Sequence, residues 1–167
     1  MSVLILRGRI LSFTSEPKSL DDHESYSYTE DGALVLSDGL IIARGDFGDI
    51  KTQYPDVEIK DHRPHLILPG FIDTHAHFPQ MQVMGSFGAK LLDWLNKYTF
   101  VEEQKFADPA HCDRIATLFF DAMLRHGTTT AVAYCSVHKT SADAFFSQAQ
   151  RRNLREPVAD RPRRAGP

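Results

Sequence analysis

His75 and His77 are the residues of this chain whose type and spacing most directly permit chemistry. They close the run Pro69-Gly70-Phe71-Ile72-Asp73-Thr74-His75-Ala76-His77. In a β-strand, residues two apart point to the same face, so both imidazoles can meet one metal ion. Zinc takes histidine nitrogen readily, and catalytic zinc sites keep one coordination position for water. Two histidines alone suit several ions, and a buried, hydrogen-bonded histidine pair is the structural alternative. Asp73 shares their alternation and serves either to orient a ligand or to hold the strand.

The elements that must position this pair are legible from His65 onward. Leu66 to Asp73 is apolar and broken by Pro69-Gly70, which predicts a buried strand starting at Phe71. Leu91, Leu92, Trp94 and Leu95 recur at helical spacing, so a short helix is expected over 89–98. Asp108-Pro109 opens the clearest helix, with Asp as N-cap and Pro at its first position. Ile115, Leu118, Phe119, Ala122 and Met123 form its expected apolar stripe, and Gly127 is placed to stop it. Thr128 to Tyr134 reads as a second buried strand, and Ser141 as the cap of a last helix through Ala149. Strand, helix, strand, helix implies a parallel βαβα segment.

The residues before His65 have a different character. Val3–Phe13, Ala33–Leu36, Leu40–Ala43 and Val57–Ile59 are short β-prone runs, whereas Glu16 to Glu30 is polar and reads as a loop. Ser37-Asp38-Gly39 marks a hairpin between the second and third runs. A small β-sandwich is the expected arrangement. Residues 1–64 thus form a β segment, 65–155 an α/β segment, and 156–167 a tail of another composition.

Composition narrows the functional classes. The 167 residues are 42% hydrophobic and 25% charged, as in soluble globular chains. Apolar runs such as Val3–Leu6 and Leu66–Leu68 fall far short of the roughly 18 residues that a membrane span needs. Arg7 and Arg9 interrupt any signal-peptide core, so a cytoplasmic location is expected. Cys112 and Cys135 form no CxxC pair and read as packing or surface thiols. Through Gln150 there are 13 Lys and Arg against 20 Asp and Glu, and from Arg151 there are 6 Arg against 2 acids. The basic residues lack interleaved aromatics, which argues against nucleic-acid binding. Gly85-Ser86-Phe87-Gly88 matches no phosphate-binding pattern and is read as a loop. His23, His62, His65, His111 and His126 have no ligand spacing and read as surface or capping residues, and His138 as a surface residue.

The Pro69–His77 run resembles the first barrel strand of the amidohydrolase superfamily. His77-Phe78-Pro79-Gln80, Gly85-Ser86-Phe87-Gly88, Leu91 to Phe100 and His126-Gly127-Thr128-Thr129-Thr130 together resemble the guanine deaminases within it. This resemblance implies a (β/α)8 barrel flanked by a small β-sandwich. It implies one zinc ion, with His75 and His77 as two of its ligands, and Gln80 in the purine-reading position, since an amide offers both donor and acceptor. The implied reaction is hydrolysis of guanine to xanthine and ammonia, and the implied assembly of the complete family fold is a homodimer. Trp94 reads as core packing rather than a purine wall. An amidohydrolase acting on another cyclic amide or amidine stays open. So does a non-catalytic interaction module that uses the β segment and Arg161, Arg163 and Arg164.

Such a barrel takes about 250 residues. The expectation is therefore an α/β chain holding the β-sandwich segment and the first two βα units of an incomplete barrel, with none of the later catalytic residues. An inactive product is expected. The Arg, Pro, Ala and Gly of the tail read as a shifted GC-rich reading frame beginning near Arg155.

Overall fold

A computed structural model describes residues 3–154 and 158–159. The chain divides into two compact units, Met1–Pro69 and Gly70–Pro167. Among the described residues no helix is long and apolar enough to cross a membrane.

The first unit is built on β1 (Val3–Phe13), β2 (Tyr26–Ser37), β3 (Leu40–Asp46) and β4 (Glu58–Ile67), in the order β3-β2-β1-β4. β1 runs antiparallel to β2 and parallel to β4. The hairpin expected at Ser37-Asp38-Gly39 is present, with Asp38 and Gly39 at φ of 50° and 80°. Those positive angles match the twist of the flanking strands. The polar loop ends sooner than expected, because Tyr26 to Thr29 pair with β1 at the start of β2. A helix unforeseen from sequence, α1 (Phe47–Gln53), starts where Asp46 Oδ1 accepts from Gly48 N at 2.9 Å. It brings Ile50 against Ile5, Ala33 and Val35. The described residues of this unit thus form one sheet with a helix, where two facing sheets were expected.

In the second unit β5 (Phe71–His77) pairs in parallel with β6 (Thr128–Tyr134), which also pairs with the two-residue β7 (Val158–Ala159). The rest of the tail after Leu154 lies outside the described residues. Between β5 and β6 come α2 (Leu91–Trp94), a π-turn at Leu95–Thr99, α3 (Phe100–Gln104) and α4 (Pro109–Arg125). The helix foreseen over 89–98 therefore continues to Gln104. Asp108 caps α4 by accepting from Ala110 N at 3.0 Å, and Gly127 follows its end at a φ of 82°. The last helix, α5 (Lys139–Arg151), has His138 at the N-cap position where Ser141 was expected. Ser141 lies fully buried in the first turn, where its Oγ accepts from Ser136 N at 3.1 Å.

Phe78, Phe106, Phe120 and Phe145 are fully buried and form the centre of this unit's core with Cys112, Ile115 and Ala116 of α4 and Ala131 and Ala133 of β6. The buried stripe of α4 is rotated from the expected one. Leu118 is 52% exposed, while Ala116 and Phe120 face inward, where Phe145 packs against the Phe120 ring. β5 is also less covered than expected, with Phe71 57% and Ile72 68% exposed. Among the described residues it pairs with β6 alone.

Candidate metal centre

β5 delivers His75 and His77 at its C-terminal end, and the pleat turns both rings to one side. Their Nε2 atoms lie 3.2 Å apart. Two nitrogens each about 2.0–2.1 Å from a tetrahedral zinc are about 3.3–3.4 Å apart, so this pair is already spaced to chelate one ion. Tyr134, ending β6 opposite His77 in register, stacks on the His77 ring with centroids 4.8 Å apart and planes 14° apart. It also lies 5.0 Å from the His75 ring. Asp73 Oδ1 accepts from His75 N at 2.9 Å, which engages this carboxylate with the strand backbone.

A short 3₁₀ segment, Phe78–Val83, follows directly and is pinned by buried Phe78. It holds Gln80 beside the pair. Gln80 Nε2 donates to Glu103 Oε1 at 3.0 Å and lies 3.4 Å from His77 Nδ1. His75, His77 and Gln80 are therefore brought together. Among the described residues no group of three or more His, Cys, Asp and Glu is placed to hold a metal. The donors fit zinc chemistry but supply two of the three protein ligands usual in catalytic sites.

Beside Gln80 lies a cavity of about 650 Å³, walled in part by His77, Met81, Trp94, Phe119 and His126. Trp94 Nε1 donates to Ser86 Oγ at 2.7 Å, which sets its ring against the Gly85–Gly88 loop. A Cβ on Gly88 would lie 2.4 Å from that of Trp94, so the loop requires glycine there. His126 follows α4, where its Nδ1 donates to Ala122 O at 2.8 Å. His138 is half-buried at the start of α5.

Sequence reasoning missed two buried acids. Glu102 and Glu103 are only 7% and 6% exposed, whereas the preceding Phe100 and Val101 are exposed. His111, expected as a surface or capping residue, is 8% exposed and packs edge-on against Phe106 with centroids 4.9 Å apart. Arg114 can only donate, so His111 Nδ1 accepts from it at 3.0 Å. His111 Nε2 is 3.9 Å from Glu102 Oε1. Burial, then the Arg114 charge, lower the His111 pKa. Glu102 also meets Lys105 at 2.6 Å. The signal for these acids was their position directly after the distinctive Trp94–Phe100 run. The signal for Tyr134 was an aromatic at the end of β6.

Residues 66–159 match the model of the amidohydrolase family. The chain belongs to the amidohydrolase family. The match takes in β5, α4, β6 and α5, and with them His75, His77 and Gln80. Among curated amidohydrolase relatives, the guanine deaminase of Escherichia coli is 38% identical over 149 residues, covering 86% of this chain and 34% of the relative. The crystal structure of guanine deaminase from Bradyrhizobium japonicum superposes with a TM-score of 0.89 at 35% identity, over 95% of this chain and 35% of that one. A guanine deaminase from C. acetobutylicum with guanine bound in its active site gives a TM-score of 0.77 at 28% identity, over 94% of this chain and 36% of the other. The chain thus spans about a third of the length of the relatives it matches.

Proposed function

We propose that this chain forms the first metal-binding part of a guanine deaminase, in which zinc-dependent hydrolysis converts guanine to xanthine and ammonia in the cytoplasm. The observation that carries the reading is the pair of Nε2 atoms 3.2 Å apart at the end of β5, with the Gln80 amide beside them. His75 and His77 would hold one zinc ion. The chemistry zinc supplies when bound is an acidified water, with a pKa near 7. Tyr134 restrains the His77 ring by stacking, and Gln80 offers its amide to the purine edge. Residues 1–64 would act as the flanking β segment of a sandwich and 65–155 as the first two βα units of a barrel, in an assembly that pairs as a homodimer when complete.

The described residues contain two imidazoles for the metal and no third ligand group beside them. The 167-residue chain alone is therefore expected to bind zinc weakly and to release no ammonia from guanine. Ammonia release by the purified chain would overturn this. Identity is tested by joining residues 1–154 in frame to the remainder of the Escherichia coli enzyme. The chimera is expected to deaminate guanine, to lose activity in His75→Ala and His77→Ala, and to show a raised KM in Gln80→Ala. A correctly folded, zinc-loaded chimera that leaves guanine untouched would refute the assignment.

A further inference from the structure

The acids after the Trp94–Phe100 run invert the usual pattern, since Phe100 and Val101 lie outside while Glu102 and Glu103 lie inside. Their backbone explains how. The π-turn at Leu95–Thr99 inserts an extra residue into a helical path, which re-phases α3 relative to α2. Burying a carboxylate is costly unless it is hydrogen-bonded. Glu103 meets that condition through Gln80, 23 residues earlier, at 3.0 Å.

We propose that Glu103 is a positioning residue that fixes which end of the Gln80 amide faces a ligand. This rests on the reading of Gln80 as the purine-contacting residue. A glutamine amide has a donor end and an acceptor end of nearly the same shape, and a free side chain presents either. A carboxylate only accepts, so Glu103 takes the amide NH2 end. The same nitrogen lies 3.4 Å from His77 Nδ1, so both of its near neighbours are protein atoms. The end left for a ligand in the adjoining cavity is the oxygen Oε1, an acceptor. The site therefore selects a ring edge that presents an N–H donor beside Gln80, as the ring N–H and exocyclic amine of guanine do. The π-turn delivers the carboxylate, and the carboxylate sets the polarity of the amide.

The test uses the 167-residue chain, 15N-labelled, with two readouts. The Gln80 side-chain amide resonances report its orientation directly, and a guanine titration reports recognition. In Glu103→Ala the Gln80 amide protons are expected to lose their shift dispersion and exchange protection, and guanine affinity is expected to fall about tenfold, the value of one charge-assisted hydrogen bond. Exchanging the partners, Gln80→Glu with Glu103→Gln, rebuilds the bond with the amide as donor from position 103 and still leaves an acceptor oxygen toward the ligand. It is expected to recover guanine affinity to within about threefold of wild type, which a purely structural role for Glu103 would not produce. Wild-type binding of guanine with unchanged affinity in Glu103→Ala would overturn the inference. If the 167-residue chain binds no guanine, the titration is carried out on the chimera, where absence of binding fails the purine assignment by itself. The Gln80 resonances then decide: unchanged in Glu103→Ala they overturn the positioning role, and collapsed they uphold it.

Discussion

Replacing Gly70 by alanine is expected to displace the strand that carries both candidate ligands. An alanine Cβ at this position would lie 2.0, 2.3 and 2.6 Å from Thr129 Oγ1, Cγ2 and Cβ. Rotating the threonine about χ1 moves its first two atoms, but its Cβ is fixed by the backbone of β6. Reaching an ordinary contact of 3.4 Å from 2.6 Å requires the strands to separate there by about 0.8 Å. Phe71, the next residue, is tied to this point by its N–H donating to Gly127 O at 2.8 Å, so the strain falls on the first rungs of the β5–β6 ladder. Overpacking of this kind costs about 1–3 kcal/mol. With a urea slope of about 2 kcal/mol/M, the unfolding midpoint is expected to fall by about 1 M. Displacement of the Nε2 pair would weaken zinc binding in a chelator competition as well. Thr129→Gly removes the clashing atoms, so Gly70→Ala is expected to cost much less in that background. An unchanged midpoint in Gly70→Ala, or an equal cost with and without Thr129, would refute the steric argument.

Other outcomes follow from the same packing and charges. Phe145→Ala removes a fully buried ring that meets Phe78 and Phe120 at 5.2 and 4.9 Å, and is expected to cost about 3–5 kcal/mol in denaturant unfolding. His111 has a lowered pKa in the folded chain, among Arg114, Glu102, Lys105 and Asp108, so as pH falls below about 6.5 the unfolded chain takes up the proton first. Stability is thus full above that pH and declines below it. His111→Gln is expected to flatten this part of the profile, and an unaltered slope would exclude the role. Asp31 and Asp61 are held below their ordinary range mainly by hydrogen bonds from Arg7 and Arg63, so their contribution is lost only under pH 3.8. Tyr134→Leu keeps the bulk at the end of β6 but removes the stacked ring, and is expected to weaken zinc binding by loosening His77; unaltered affinity would show that the stacking is incidental.

What the sequence determined by itself was local. Two histidines two residues apart share a face in any strand, and Asp108-Pro109, Asp38-Gly39 and Gly127 set their caps and turn by backbone preference over a few residues. These features need no distant partner, which is why β5, α4, β6 and the parallel βαβα order were readable. Tertiary structure decided whatever depends on a neighbour far along the chain. Leu118 fits an apolar stripe as well as Phe120 does, and only the placement of Phe145 turns Phe120 inward. Phe71 and Ile72 read as core because apolar alternation does not tell which strand edges are paired, and among the described residues β5 pairs along one edge alone. Nothing in the local pattern marks Glu103, and only the π-turn brings it toward Gln80, 23 positions away. Periodicity encodes which residues share a face, but the direction of that face and the partners it meets are set by packing across the whole unit.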